Sequence, residues 1–141
     1  MVHTHPRYAT ALGATGQALE ILSHDGILFA DGVAVFDETP ALITEAAQGE
    51  AVAAALGGHR AIIMKNHGIL TVGPIVPWAV FTAVALERAA QMQAYARGFG
   101  VPQPIPDPIV RAMFPTKYND ALIEEYWRYF KRHLRAHGRG L

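Results

Sequence analysis

The sequence predicts an α/β fold of three layers (α/β/α), in which helices cover both faces of a mostly antiparallel central sheet. Three observations support this prediction. Short apolar runs typical of strands are mixed with helical stretches, without a regular strand–helix–strand repeat. Two of these runs, residues 61–64 and 69–72, flank a polar turn and predict a β-hairpin. Residues 77–98 are apolar on nearly all sides in the first half of the stretch, which predicts a buried helix.

The beginning of the chain predicts a strand followed by a short helix. The strand covers residues 1–4. Pro6 suits the first turn of the helix because proline needs no backbone N–H partner there, and Gly13 and Gly16 are expected to end it.

The middle of the chain predicts strands and one further helix. Residues 18–38 contain short apolar runs and Asp-Gly pairs at 25–26 and 31–32, so we expect strands joined by tight turns. Residues 44–56 begin with a threonine cap, are rich in alanine and stop at a Gly-Gly pair, which predicts a helix.

The last part of the chain predicts a connector and two helices. Residues 101–108 hold four prolines and must be extended. Residues 108–114 predict a short helix, and residues 118–137 predict a long amphipathic C-terminal helix. Because the length suffices for one hydrophobic core, we expect residues 1–141 to form a single domain.

Composition limits the classes of partner. Apolar residues make up 51% of the chain and the formal net charge is zero, which excludes a disordered polymer and gives no electrostatic reason to expect nucleic acid. The chain has no cysteine, so a metal would need histidine or carboxylate ligands. Without a leader-like start or a membrane-length apolar run, we expect a soluble cytoplasmic protein that binds a small molecule or another chain, and no membrane.

Three histidines are candidates for a metal site. His3 and His5 alternate along the first predicted strand, so their side chains point to one side, roughly 6.5 Å apart at the backbone. His67 lies in the turn "KNHG", where Gly68 allows the chain to bend. If the hairpin lies beside the first strand, three imidazoles meet and leave an open coordination position, as in catalytic zinc sites. The alternative is that these histidines are ordinary polar residues of a terminus and a turn.

Three segments carry a resemblance to a known family. "VHTHPRYATAL", "KNHGILTVG" and "ALERAAQMQ", in this order, resemble the class II aldolase/adducin family over residues 2 to about 100. Its metal-dependent members include sugar-phosphate aldolases, epimerases, dehydratases and aromatic-acid decarboxylases. The resemblance implies that His3, His5 and His67 bind a divalent metal, zinc in the first place and manganese as the alternative.

The resemblance also implies an activity, that of a metal-dependent carbon–carbon lyase. Such a metal polarises a substrate carbonyl and stabilises the enolate-like charge left when a C–C bond breaks. Residues 29–68 are more similar to the decarboxylase-like branch, so we expect a decarboxylase-like lyase acting on a small hydroxy-acid or hydroxy-carbonyl substrate. The alternative is an aldolase acting on a sugar-phosphate-type substrate. Tyr126 and Trp127 are expected to bind substrate, in a homo-oligomer for which a tetramer is favoured.

The sequence departs from the family pattern at its beginning. Family enzymes carry a phosphate-binding stretch and an acid/base glutamate before the H-x-H motif, and here only Met1 and Val2 precede it. No catalytic acid or base is therefore assigned. The alternatives are an N-terminally truncated fragment of a longer enzyme, a partner chain that supplies the missing part, and a non-catalytic scaffold like adducin.

Several other polar residues are given less specific roles. Glu87 is a single carboxylate in an apolar helix and is expected to pair with an arginine or lysine, with a functional role as the alternative. Spacing supports none of Glu20, Asp25 and Glu45 as a replacement acid or base, and His24 is expected to be a turn residue.

The C-terminal helix carries a basic stripe that includes two histidines. A solvated face is the expected role, with an anion site across a subunit boundary as the alternative. His133 and His137 have metal-ligand spacing but lie in a terminal segment. The stripe consists of Arg128, Lys131, Arg132, Arg135 and Arg139.

Overall fold

The computed structural model describes residues 1–39 and 41–138, so Arg139 of the basic stripe lies outside the described residues. The described part of the chain forms four strands, five α-helices and a 3₁₀ helix. In chain order they are β1 (Val2–Thr4), α1 (Arg7–Thr15), the 3₁₀ helix (Asp25–Phe29), β2 (Ala34–Phe36), α2 (Ala46–Leu56), β3 (Ala61–Met64), β4 (Gly68–Thr71), α3 (Val76–Phe99), α4 (Asp107–Lys117) and α5 (Asp120–Ala136).

The four strands form one sheet in the order β1-β4-β3-β2. The predicted hairpin is confirmed, since β3 and β4 are antiparallel neighbours, and β1 is antiparallel to the other side of β4. The expectation of a mostly antiparallel sheet is wrong, because β2 runs parallel to β3 and the sheet is mixed. The reason is α2, which connects β2 to β3 as a crossover, and strands joined by a crossover helix lie parallel.

Helices cover both faces of the sheet, as the predicted three layers require. On one face, Ile63 and Ile69 belong to the larger core, which is packed against α1, α3 and α5. On the other face, Ile62 and Met64 form a smaller core with residues of β2 and α2. Side chains alternate between the two faces along β3, and all four of its residues are buried.

Some predicted elements differ from the structure. Residues 25–29, expected to belong to strands joined by turns, form a 3₁₀ helix with four buried residues. Gly13 does not end α1 but lies inside it, and Gly16 is the left-handed C-cap. The N-cap of α2 is Glu45 rather than a threonine, and it forms a reciprocal capping box with Gln48.

The long helix α3 is apolar nearly all round because other elements contact it on several sides. It packs against α1, the 3₁₀ helix, α5 and strand β4. Within residues 1–39 and 41–138, no helix combines the length and apolarity needed to cross a membrane. Helix α4 begins at Asp107, so the extended connector is shorter than residues 101–108, and Pro108 is tolerated in the first helical turn.

Replacement by alanine should have opposite effects on stability at two helical glycines, Gly13 and Gly49. A Cβ at Gly13 would overlap the Cγ2 methyl of buried Ile63, whereas nothing lies within 4 Å of a Cβ at Gly49. Alanine in a helix stabilises the folded protein by about 0.5–1 kcal/mol relative to glycine, but overpacking a core destabilises it by about 1–3 kcal/mol. Gly49→Ala should therefore raise the free energy of unfolding in urea, and Gly13→Ala should lower it by about 1 kcal/mol. Equal stabilisation by both would contradict the close packing of α1 on β3.

Candidate metal site and adjoining cavity

The three predicted histidines come together in the structure. Each of His3, His5 and His67 offers a ring nitrogen, and these three atoms lie within 4.8 Å of one another. The ring centroids are 4.9, 5.1 and 5.0 Å apart, so the imidazoles form a nearly equilateral triangle. All three pairs meet edge to face, which lets the nitrogens converge on one point.

The pairing of β1 with β4 produces this convergence. His3 lies opposite Leu70, and Thr4 lies opposite Ile69, so the start of β4 is held beside the H-x-H motif. His67 immediately precedes β4 and therefore reaches the same end of the strand pair. Val2 and Thr71, which are 69 residues apart along the chain, become direct partners in this strand pair.

The turn before β4 depends on Asn66 and Gly68, and Gly68 has a different role from the one expected from the sequence. Asn66, rather than Gly68, adopts the left-handed backbone conformation, with φ 58°. Gly68 is needed for close approach instead. A Cβ there would lie 2.6 Å from the carbonyl oxygen of Thr4 and would overlap the His5 ring. This packing was not visible from the sequence, because it depends on which strand lies beside the glycine.

Hydrogen bonds indicate the tautomers of His3 and His5. The Nδ1 of His3 lies 2.9 Å from the carbonyl oxygen of Ile69, and a carbonyl only accepts, so Nδ1 carries the proton and Nε2 is left with a lone pair. The Nε2 of His5 lies 3.0 Å from the Nε2 of His3, and so donates to it. A backbone acceptor behind a ligating histidine is the usual outer support of a metal site.

His67 is the most enclosed of the three. Its Nδ1 is buried and has no hydrogen-bond partner among the described residues. Burial lowers the pKa of His67, and the neighbouring imidazoles of His3 and His5 lower it further, so the neutral form that binds metals is favoured. The three converging imidazoles fit a divalent cation with nitrogen ligands.

An apolar cavity of about 570 Å³ adjoins the histidines. It lies on the α2 side of the sheet, and His3 and His67 form part of its wall. No carboxylate, lysine or arginine lines it among the described residues. The remaining lining residues are Met1, Leu42, Ile43, Gly49, Val52, Ala53, Leu56, Met64, Leu70 and Val72.

The two predicted substrate-binding residues lie elsewhere in the single chain. The ring of Tyr126 packs on Phe81 of α3, with ring centroids 4.9 Å apart. The ammonium group of Lys131 lies over the Trp127 ring, 5.6 Å from its centroid. Neither lines the cavity beside the histidines. Within one chain Tyr126 therefore contributes to packing between α3 and α5, and a contact of either residue with substrate stays a prediction.

None of the three candidate carboxylates reaches the histidine cluster or the cavity. Glu20 accepts a hydrogen bond from Arg97 at 2.9 Å, and its second oxygen is buried without a described partner. Asp25 begins the 3₁₀ helix, and Glu45 caps α2. His24 is not a member of the cluster, and its Nδ1 accepts from Lys117 at 3.1 Å.

The described part of the basic stripe lies on α5. Arg128 pairs with Glu124 one turn earlier at 3.0 Å, on the exposed face of the helix. The rings of His133 and His137 are 4.2 Å apart, but the Nδ1 of His137 already donates to the carbonyl oxygen of His133. Among residues up to 138, these two histidines are not joined by a third ligand.

Glu87 has a role that the sequence did not reveal. It was expected to pair with an arginine or lysine, and that expectation is wrong for the described residues. Both of its carboxylate oxygens accept from the backbone N–H of Tyr8 at 3.0 Å, and one also accepts from Ala9 at 2.9 Å. A lone acidic residue on an apolar helix was the only sign of this contact in the sequence.

Comparison with known proteins identifies the class. The family described as "Class II Aldolase and Adducin N-terminal domain" matches residues 1–94, so this chain belongs to that family.

Three similar proteins illustrate its range. "Decarboxylase NovR" of Streptomyces niveus is 32% identical over 111 residues, which cover 79% of this chain and 41% of that protein. "L-fuculose phosphate aldolase" of Methanococcus maripaludis is 35% identical over 100 residues, covering 71% of this chain and 53% of that protein. The solved "L-fuculose 1-phosphate aldolase" of Glaciozyma antarctica has a TM-score of 0.79 at 27% identity, covering 99% of this chain and 53% of that one. The chain thus spans about half of these relatives or less.

The hydrogen bonds predict distinct tautomers in the metal-free protein. The neutral imidazole of His3 should carry its proton on Nδ1, and that of His5 should carry its proton on Nε2. Long-range ¹H–¹⁵N correlation spectra of the imidazole rings distinguish the two forms. Observation of an Nε2–H tautomer at His3 would rule out its hydrogen bond to the carbonyl of Ile69.

Proposed function

We propose that His3, His5 and His67 bind one divalent cation and that the protein is a metal-dependent carbon–carbon lyase of the decarboxylase-like type. The convergence of the three imidazoles is the observation that supports this proposal best. Zinc is the preferred ion because three imidazoles with an open position suit it, and manganese is the alternative.

The metal and the chain have separate tasks in this proposal. A bound divalent cation supplies a Lewis acid that withdraws electrons from substrate oxygens. The carbonyl oxygen of Ile69 holds His3 in the tautomer whose Nε2 carries a lone pair, which a metal would bind in place of the hydrogen bond from His5. The apolar lining of the cavity excludes water from one side of the substrate and so strengthens the electrostatic interactions at the histidines.

Apart from the proposed metal ligands His3 and His67, the described lining residues offer no base, and this favours decarboxylation over aldol cleavage. Aldol cleavage requires removal of a hydroxyl proton before the C–C bond breaks, and no lining residue among those described is a carboxylate or lysine. Decarboxylation starts from an ionised carboxylate. Carbon dioxide leaves, the electron pair stays on the substrate carbon, and water protonates this carbon; the hydroxide that remains combines with carbon dioxide to give bicarbonate. This reaction needs no general base from the chain.

The cavity also supports a class of substrate. A phosphate group would need cationic or N–H donors, and the lining residues that the structure describes include no lysine or arginine. A hydroxy-acid with an aromatic or branched apolar group could place its oxygens at the histidines and its apolar part against Leu70 and Val52. A further similar protein, from Streptomyces roseochromogenus, is named "4-hydroxy-3-prenylphenylpyruvate oxygenase/4-hydroxy-3-prenylbenzoate synthase", and this name supports an aromatic substrate.

The assembly belongs to the same proposal. We infer a homo-oligomer, with a tetramer favoured, in which Tyr126 and Trp127 of one chain approach the histidines of another. The amphipathic helix α5 supports this inference, because Tyr129 remains half exposed beside these two residues.

Metal analysis tests the site directly. The purified protein should contain about one equivalent of zinc or manganese, and the double variant His3→Ala/His5→Ala should contain essentially none, because only one of the three imidazoles remains. The double variant His133→Ala/His137→Ala is the matched control, since it removes two histidines of α5, and it should retain the metal. Loaded protein should release carbon dioxide from a panel of aromatic hydroxy-acids.

Other results of the metal analysis and the product assay would contradict the proposal. Loss of metal only in the His133→Ala/His137→Ala variant would move the site to α5. Metal binding by the histidine cluster with release of an aldehyde instead of carbon dioxide would favour the aldolase. No metal in the purified protein, even after incubation with zinc, would favour the scaffold or fragment.

The apolar cavity predicts a preference among ligands. Metal-loaded protein should bind mandelate at least about tenfold more tightly than lactate, because burying a phenyl ring contributes about 1.5–3 kcal/mol. Ala53 lines the cavity and Ala54 does not. Ala53→Phe should abolish the preference by filling the space, and the control Ala54→Phe should keep it. Calorimetric titration measures both, and equal binding of the two acids would contradict a substrate role for the cavity.

A further inference from the structure

The carboxylate of Glu87 lies at the N-terminus of α1 and binds the backbone there. Helix α1 begins at Arg7 after Pro6, which provides no side-chain cap, and its first turn contains no acidic residue. The free N–H groups of that turn belong to Arg7, Tyr8 and Ala9, because Thr10 already donates to the carbonyl of Pro6. Glu87 accepts from two of these three donors.

This contact is strong for two reasons. Both oxygens of one carboxylate accept from the helix, in three contacts of 2.9–3.0 Å. The negative charge also lies at the positive end of the helix dipole, where anions are stabilised. Glu87 is on α3, so the bond joins two helices that also share side-chain packing and a hydrogen bond between the hydroxyls of Tyr8 and Tyr95.

The same contact holds the chain next to a predicted metal ligand. His5 lies between the end of β1 at Thr4 and the start of α1 at Arg7. On the upstream side, Thr4 is fixed by pairing with Ile69 of β4. On the downstream side, Pro6 has a restricted φ but no N–H group to donate. The first N–H groups after His5 that bind a partner outside α1 are those of Tyr8 and Ala9, which donate to Glu87.

His5 has less side-chain support than His3. The Nδ1 of His3 donates to a backbone carbonyl, whereas the described hydrogen bond of the His5 ring is to His3 itself. A metal would compete for that bond, since both nitrogens are candidate ligand atoms. The direction of the His5 ring therefore depends on its packing beside Gly68 and on its backbone, which is fixed on one side by the sheet and on the other by Glu87.

We propose that Glu87 is the positioning residue of the metal site: by binding the first turn of α1, its carboxylate orients the His5 imidazole toward His3 and His67. This inference rests on the proposed metal site. It assigns Glu87 no contact with the metal or with substrate, since its oxygens are already bound to the backbone.

Cobalt binding tests this role without measuring activity. Glu87→Gln keeps the size of the side chain but removes the charge and one acceptor oxygen. The variant should bind Co²⁺ about tenfold more weakly than the wild type, within the range typical of outer-sphere changes. The visible absorption band of the cobalt-loaded variant should also shift and change in intensity, because the geometry of the ligands changes. Glu87→Asp keeps the charge and should restore part of the affinity.

Two controls separate positioning from general stability. Glu124→Gln removes an exposed carboxylate of α5 that pairs with Arg128, and it should leave cobalt affinity and spectrum unchanged. Circular dichroism and urea unfolding of each variant establish that the titrated protein is folded. A purely structural role of Glu87 would lower the unfolding free energy while leaving the cobalt spectrum and affinity of folded protein unchanged, and this result would overturn the inference.

The experiment also distinguishes this inference from the proposed function. Wild-type protein that binds no Co²⁺ would refute the metal site itself. Wild-type protein that binds one equivalent, with Glu87→Gln identical in affinity and spectrum, would refute only the role of Glu87. Should Glu87→Gln fail to fold, Glu87→Asp provides the same comparison, with a smaller expected loss than for the glutamine variant.

Discussion

The pairing of β1 with β4 is the interaction on which the rest of the site depends. It places the first residues of the chain beside residues 69–71, and it puts the H-x-H motif next to the turn that carries His67. The strand is only three residues long, so it has few hydrogen bonds of its own. Helix α1 secures its position, because this helix comes soon after β1 in the chain and packs on β3 and α3.

Two glycines, which have no side chain, make the close contacts of this arrangement possible. Gly13 lets α1 approach Ile63, and Gly68 lets β4 approach the carbonyl of Thr4 and the ring of His5. Both glycines lie where backbone must come close to another element, so they act through space filling rather than through unusual backbone angles. The one left-handed residue of the turn is Asn66, whose side chain tolerates that conformation.

The site combines polar convergence with an apolar surrounding. Three imidazoles meet at the end of a strand pair, and the adjoining cavity is lined almost entirely by aliphatic side chains. Such a cavity suits a ligand with a chelating head and an apolar body, which is the usual pattern of small-molecule sites. The acid/base glutamate expected of family enzymes has no counterpart in the lining among the described residues, and the proposed chemistry is one that starts from an ionised carboxylate.

The sequence by itself determined the local elements and the candidate ligands. Capping residues, proline positions and apolar periodicity predicted the hairpin, α2, α3 and α5 close to their observed bounds, because these patterns act over a few residues. Ordered motifs identified His3, His5 and His67 together with the family, and the family is confirmed.

Only the tertiary structure decided how these parts meet. The parallel pairing of β2 with β3, the 3₁₀ helix at residues 25–29 and the place of Tyr126 in the packing of α5 depend on contacts between distant segments, which local propensity does not encode. The same holds for Glu87. Its sequence neighbours suggested a cation as partner, but folding brought the positive end of a helix to it, 79 residues away along the chain. A carboxylate accepts whichever donors the fold presents, so its partner is determined by the packing of α1 on α3.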